Sequence, residues 1–102
     1  MFEPKGQITR DSNLGKKIFD LTNHPEVYNI LDIGTWNGLG TTKCIYDSII
    51  ENHKKEYLVF SIECDINRYN EAKSHYPIPL KNFNLLYGTL VTKEELIERI
   101  DA

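Results

Sequence analysis

The chain has 102 residues and a mass of 11.9 kDa, so it is one domain or a piece of one. Hydrophobic residues make up 40% and charged residues 26%, a globular balance rather than a disordered one. A net charge of −3 and a pI of about 5.6 weigh against a nucleic-acid partner, whose binders carry a basic stripe.

The lysine pairs Lys16-Lys17 and Lys54-Lys55 read as solvated faces. No apolar run approaches the roughly 18–20 residues of a membrane span, so no membrane partner is expected. The start, Met1-Phe2-Glu3-Pro4-Lys5-Gly6, lacks the apolar stretch of a signal peptide, and the expected compartment is the cytoplasm. Cys44 and Cys64 form no C-x-x-C pair and read as two buried free thiols. His24, His53 and His75 show no metal-ligand spacing, so no metal site is expected.

Residues 1–11 are polar and read as a loosely held arm, followed by one domain over 12–102. Asp11 or Ser12 is suited to cap a first helix, in which Leu14, Ile18 and Leu21 recur on one face. His24-Pro25 stops it. Residues 27–33 are a short apolar run that reads as a buried strand. The turn Gly34-Thr35-Trp36-Asn37-Gly38-Leu39-Gly40 follows, then a helix over 41–52 with Ile45 and Ile49 four apart. Residues 57–62 form a second strand, apolar on both faces, as in a parallel sheet covered by helices. Asp65 is suited to cap a third helix carrying Ile66, Tyr69 and Ala72, which Tyr76-Pro77-Ile78-Pro79 breaks. Residues 83–87 are a third strand, ended by Gly88. Thr92 and Glu95 form a capping box for a last helix, with Val91 and Leu96 as its hydrophobic staple and Ile100 continuing the face. Strands alternating with helices predict an α/β fold: a doubly wound parallel sheet of about three strands with helices on both faces.

Ligands of open α/β sheets sit outside the carboxyl ends of the strands. There Gly34 allows a sharp exit from the strand, and Gly38 and Gly40 allow backbone to approach a ligand. The next helix offers unpaired N–H groups to an anion; packing alone is the other reading of these glycines. Glu63, at the end of the second strand, suits a ribose diol, through charge-assisted hydrogen bonds worth roughly 1.5–3 kcal/mol each. Its plainer reading is a solvated acid near a helix start. Gly88-Thr89 reads either as a contact to a base edge or as a plain turn.

Taken together, Asp32-Ile33-Gly34-Thr35-Trp36-Asn37-Gly38-Leu39-Gly40 resembles motif I of class I S-adenosylmethionine-dependent methyltransferases, in its small-molecule O-methyltransferase variant. Ser61-Ile62-Glu63-Cys64 is similar to the acidic motif after their second strand, and Leu85-Leu86-Tyr87-Gly88-Thr89 to the segment after their third. The resemblance spans about residues 12–100. It implies a Rossmann-like sheet whose order begins 3-2-1, and S-adenosylmethionine as cofactor. Asp32 would fix the loop and, directly or through water, the methionine amino group. Gly34, Thr35 and Trp36 would border the methionine part, with the Gly38–Gly40 turn near its carboxylate. Glu63 would hold the ribose hydroxyls, Cys64 would lie against the adenine, and Gly88 and Thr89 would face its edge.

Members of that family have seven strands, and the expected elements here stop after the helix that follows the third. The strand that carries catalytic or metal-binding acids is missing from them, as is the half that binds the methyl acceptor, a small molecule. Asp47, Glu51 and His53 lie along or beyond the first crossover helix and point away from the strand ends. The expectation is a cofactor-binding half whose open edge strand, residues 28–33, pairs with another copy or a second chain. One alternative is a short-chain NAD(P)-dependent dehydrogenase, whose G-x-x-x-G-x-G spacing Gly34, Gly38 and Gly40 also fit. Ile33 before the first glycine and Asp32 oppose it, and the G-x-G-x-x-G fingerprint is absent. The other alternative is a non-catalytic cofactor- or partner-binding module.

Overall fold

The computed structural model describes residues 8–78 and 80–89. Ser12 caps α1 (Asn13–Asn23), its Oγ accepting the Gly15 amide at 3.0 Å. The buried side of α1 is not the expected Leu14–Ile18–Leu21 line. Leu14 and Leu21 are exposed, Gly15 and Thr22 are buried, and Ile18 lies between. Gly15 is small because the chain before the helix crosses it: a Cβ there would collide with the Thr9 carbonyl. Farther along, α2 (Thr41–Glu51) comes close, and the Ser48 hydroxyl donates to the Phe19 carbonyl at 2.6 Å. Thr22 is burial-tolerant because its own hydroxyl donates to the Ile18 carbonyl at 2.8 Å. The described end of the arm is tied down rather than loose. Arg10 lies 4.4 Å over the Phe19 ring and pairs with Asp47 and Glu51, each at 2.7 Å.

On α2, Thr42, Ile45 and Ile49 follow the helical period inward and are buried. The helix closes with His53 in the left-handed region (φ 52°). The His53 amide bonds the Ile50 carbonyl at 3.3 Å, and the Lys54 amide bonds the Ile49 carbonyl at 3.0 Å, a Schellman closure.

β1 (Asn29–Ile33), β2 (Leu58–Glu63) and β3 (Phe83–Tyr87) form one parallel sheet in the order β1-β2-β3. Ile30 pairs with Val59 and Asp32 with Ser61; Ser61 in turn pairs with Leu85 and Glu63 with Tyr87. The period of two sets all of these on one face. The helices pack there: Ile45, Ile49 and Val59 form the core, with Ile18, Ile30, Tyr57, Leu80 and Phe83 against it. Asp65 caps α3 (Ile66–His75), accepting the Asn67 and Arg68 amides at 2.9 and 3.2 Å. Ala72 of α3 is buried, and the Tyr69 ring sits 5.8 Å from that of Tyr87.

The opposite sheet face carries Leu31, Ile33, Leu58, Phe60 and Leu86, all exposed. β1 is therefore at the sheet edge, as the open edge strand expected, and its apolar run is buried on one side only; among the described residues the helices cover one face of the sheet rather than the two expected. The physical reason is that α1, α2 and α3 all pack on the Val59 side. The expected last helix, with Thr92, Glu95 and Ile100, lies outside the described residues. No described helix is long and apolar enough to cross a membrane.

Candidate functional site

The loop from β1 to α2 takes its shape from alternating left-handed residues: Gly34 (φ 87°), Trp36 (φ 52°) and Gly38 (φ 82°). The Gly34 and Thr35 amides both donate to the Ile62 carbonyl, at 2.8 and 3.2 Å, which bends the loop over the end of β2. The Trp36 amide then donates to Glu63 Oε1 at 2.6 Å, and the Asp65 amide to Glu63 Oε2 at 3.0 Å. One carboxylate, only 8% exposed, thus holds the glycine loop, the end of β2 and the entry to α3 together. Each of its oxygens keeps a further lone pair for a ligand.

Beneath the loop lies a buried polar network. Asp32 Oδ2 accepts the Ser61 hydroxyl at 2.8 Å and the Thr42 hydroxyl in a very short contact. With its proton on Asp32, Ser61 accepts from Thr35 Oγ1 at 2.5 Å. All four side chains are buried. The network joins β1, β2, the loop and the first turn of α2. Burial is the main influence on the Asp32 carboxyl and raises its pKa; the two hydroxyl bonds oppose that rise, and the nearby Glu63 charge adds to it.

The glycines differ in what they permit. A Cβ on Gly38 would meet Tyr76 Cε2 at 3.0 Å and Ala72 Cβ at 3.1 Å, so this glycine lets α3 approach the loop. A Cβ on Gly34 would meet nothing within 4 Å. Gly38→Ala therefore carries both a left-handed backbone and a clash, and Gly34→Ala only the first. Urea unfolding is expected to show a loss of about 2–4 kcal/mol for Gly38→Ala and about 1 kcal/mol for Gly34→Ala. Equal losses would remove the packing role of Gly38.

A cavity of about 180 Å³ opens at the carboxyl ends of all three strands. Ile33, Gly34, Ile62, Glu63, Cys64, Gly88 and Thr89 line it. The Gly88 amide is fixed on the Glu63 carbonyl at 2.9 Å. Five of the ten expected site residues thus line one cavity: Gly34, Glu63, Cys64, Gly88 and Thr89. Asp32 and Thr35 sit in the network beneath it. Trp36 lies under the Arg68 guanidinium, 5.1 Å from its ring centroid. Gly38 packs against α3, and Gly40 is the N-cap of α2, with no side-chain cap bond. Cys44 is buried, and burial pushes its thiol pKa up. Cys64 is exposed, a correction to its expected burial, because it follows the last residue of β2 and leaves the covered face. Asp47 and Glu51 are engaged with Arg10 on α2, away from the cavity.

Thr42 and Ser61 were not singled out by their sequence context. The available signal was a hydroxyl at a core-periodic position, Thr42 in line with Ile45 and Ile49, and Ser61 two residues after Val59. Such a position needs a buried partner, which is Asp32. No family model matches the chain, and no curated protein matches it significantly.

Proposed function

We propose that this chain supplies the S-adenosylmethionine-binding half of a cytoplasmic methyltransferase that acts on a small-molecule acceptor. The observation that carries this reading is the convergence of the glycine loop, the Glu63 carboxylate and the Gly88-Thr89 turn on one cavity at the strand ends. The residues fit the cofactor chemically. A ribose diol needs an acceptor pair, and the Glu63 carboxylate lines the cavity with lone pairs left over. Cys64 and Thr89 flank it with a soft sulfur and a hydroxyl, suited to a purine face and edge. The bound cofactor would supply an electrophilic methyl group on a sulfonium.

The cavity is smaller than the roughly 300–1,000 Å³ of complete small-molecule sites. We therefore assign the acceptor, and any base that deprotonates it, to a further polypeptide segment or chain that pairs along the open edge of β1. The exposed Leu31, Ile33, Phe60 and Leu86 favour that reading, because a continued α/β sheet would cover them. They equally favour a second reading, a partner-binding module without catalysis. Against the dehydrogenase reading stands Asp32, buried behind the glycine loop rather than free to meet a dinucleotide.

Calorimetric titration of the chain with S-adenosylhomocysteine is expected to give saturable binding, and titration with NADPH none. A folded chain that binds neither overturns the cofactor reading, and one that binds NADPH alone replaces it with the dehydrogenase. Sedimentation of the same samples is expected to show concentration-dependent association. A monomer that also leaves an apolar dye dark would remove the edge-pairing reading.

A further inference from the structure

Tyr76, the C-cap of α3, faces two parts of the molecule. Its hydroxyl donates to the Gly38 carbonyl in the glycine loop. Its ring lies 4.7 Å from that of Tyr46 and lines a second cavity of about 160 Å³. Tyr46, Tyr69, Lys73, Leu80 and Phe83 complete most of that cavity's wall. It lies between α2, α3 and β3 and shares no lining residue with the cavity at the strand ends.

The size and walls of this cavity select its occupant. An apolar cavity of about 150 Å³ is known to take one benzene ring. Here the rings of Tyr76 and Phe83 meet Tyr46 at 48° and 82°, the tilted and edge-on geometries that aromatic groups favour. Lys73 is the charged side chain of the lining. Its ammonium lies 6.0 Å from the Tyr69 ring centroid and has no carboxylate partner among the described residues. The cavity thus offers a slot for one ring with the Lys73 ammonium in its lining.

We propose that this cavity binds a monocyclic aromatic carboxylate, its ring against Tyr46, Tyr76 and Phe83 and its carboxylate on Lys73, and that the glycine loop senses it through the Tyr76–Gly38 bond. A ring in the slot presses on the side chain that holds Gly38. Burial raises the Tyr76 pKa, so its hydroxyl remains a donor at neutral pH. Binding does not rest on the cofactor reading.

The test is a titration of the whole chain with 4-fluorobenzoate, followed by fluorine NMR and by amide and ring shifts of the protein. Saturable binding is expected, with a Kd of roughly 0.1–5 mM for a ligand of so few atoms. The shifts are expected on Tyr46, Tyr76, Phe83 and the Gly38 amide. Lys73→Met should weaken the carboxylate at least fivefold and leave neutral 4-fluorobenzyl alcohol unchanged. Lys16→Met, a control on α1, should change neither. Tyr76→Phe keeps the ring wall but loses the hydroxyl, so it should bind the probe without shifting Gly38. No saturation by 20 mM (about four times the weakest expected Kd) overturns the site, as does an equal effect of Lys16→Met or shifts confined to other residues. A Gly38 shift that persists in Tyr76→Phe overturns the coupling. Every readout is independent of S-adenosylhomocysteine, so failure of the cofactor reading leaves this test intact.

Discussion

Asp32→Ala is expected to lower the folding stability of the chain by about 2–4 kcal/mol, read as a shift in the urea midpoint at an unchanged slope. The carboxylate is the shared acceptor of two buried hydroxyls, those of Thr42 and Ser61. Removing it costs both donors their carboxylate acceptor, at about 1–3 kcal/mol each, and the Thr42–Ser61 hydroxyl contact at 3.3 Å together with relief of the buried charge offsets part of that. Thr35 loses less, because it donates to Ser61 rather than to Asp32. A loss below about 0.5 kcal/mol would mean that water or a rotated hydroxyl replaces the acceptor.

The same residue sets a pH dependence. Burial raises the pKa of Asp32 above the ordinary 3.8. The folded chain therefore keeps this proton at pH values where the unfolded chain has lost it. The stability this group contributes is fully present below the unfolded pKa and is lost as pH rises through the folded pKa. Asp32→Asn cannot titrate. The stability of the native chain relative to Asp32→Asn is thus expected to fall as pH rises from about 4. Two parallel curves between about pH 4 and 7 would show that the hydroxyl bonds cancel the effect of burial.

The elements were legible in the sequence wherever a local signal carried them. The 83–87 strand, the Asp65 cap and the Pro-rich stop after α3 each rest on chemistry within a few residues. The buried side of α1 was not legible, because it depends on how close α2 comes. It also depends on the chain before the helix: Leu14 and Leu21 satisfy helical periodicity, yet the Thr9 carbonyl leaves room only for a glycine at 15, and Thr22 is the buried residue one turn after Ile18. In the site, the glycine spacing located the loop and did not divide the labour within it. Gly34 faces the cavity and Gly38 faces Ala72, a distinction that arises only once α3 is packed. Glu63 was legible as an acceptor at a strand end. Its hold on the Trp36 amide was not, since no sequence signal marks a residue 27 positions away as its partner.

That hold makes Glu63 the more demanding test of the site, because one carboxylate serves both the loop and the proposed ribose. Glu63→Gln is expected to weaken S-adenosylhomocysteine binding at least tenfold, since a charge-assisted hydrogen bond is worth about 1.5–3 kcal/mol. Stability should fall by only about 1–2 kcal/mol, because the amide oxygen still accepts one of the two amide donors. The chain has a single tryptophan, Trp36, so its fluorescence reports the loop directly. Loosening of the loop should appear as easier quenching by acrylamide. Weaker binding alone does not separate a ribose contact from a slackened loop, and the 2′-deoxy form of the same ligand does. If Glu63 accepts the ribose hydroxyls, deleting one costs the native chain about tenfold in affinity and costs Glu63→Gln much less, so the two changes are not additive. If Glu63 only clamps the loop, the deoxy ligand is weakened equally in both proteins. Additivity would leave Glu63 as a structural latch and move the ribose contact to another residue of the cavity.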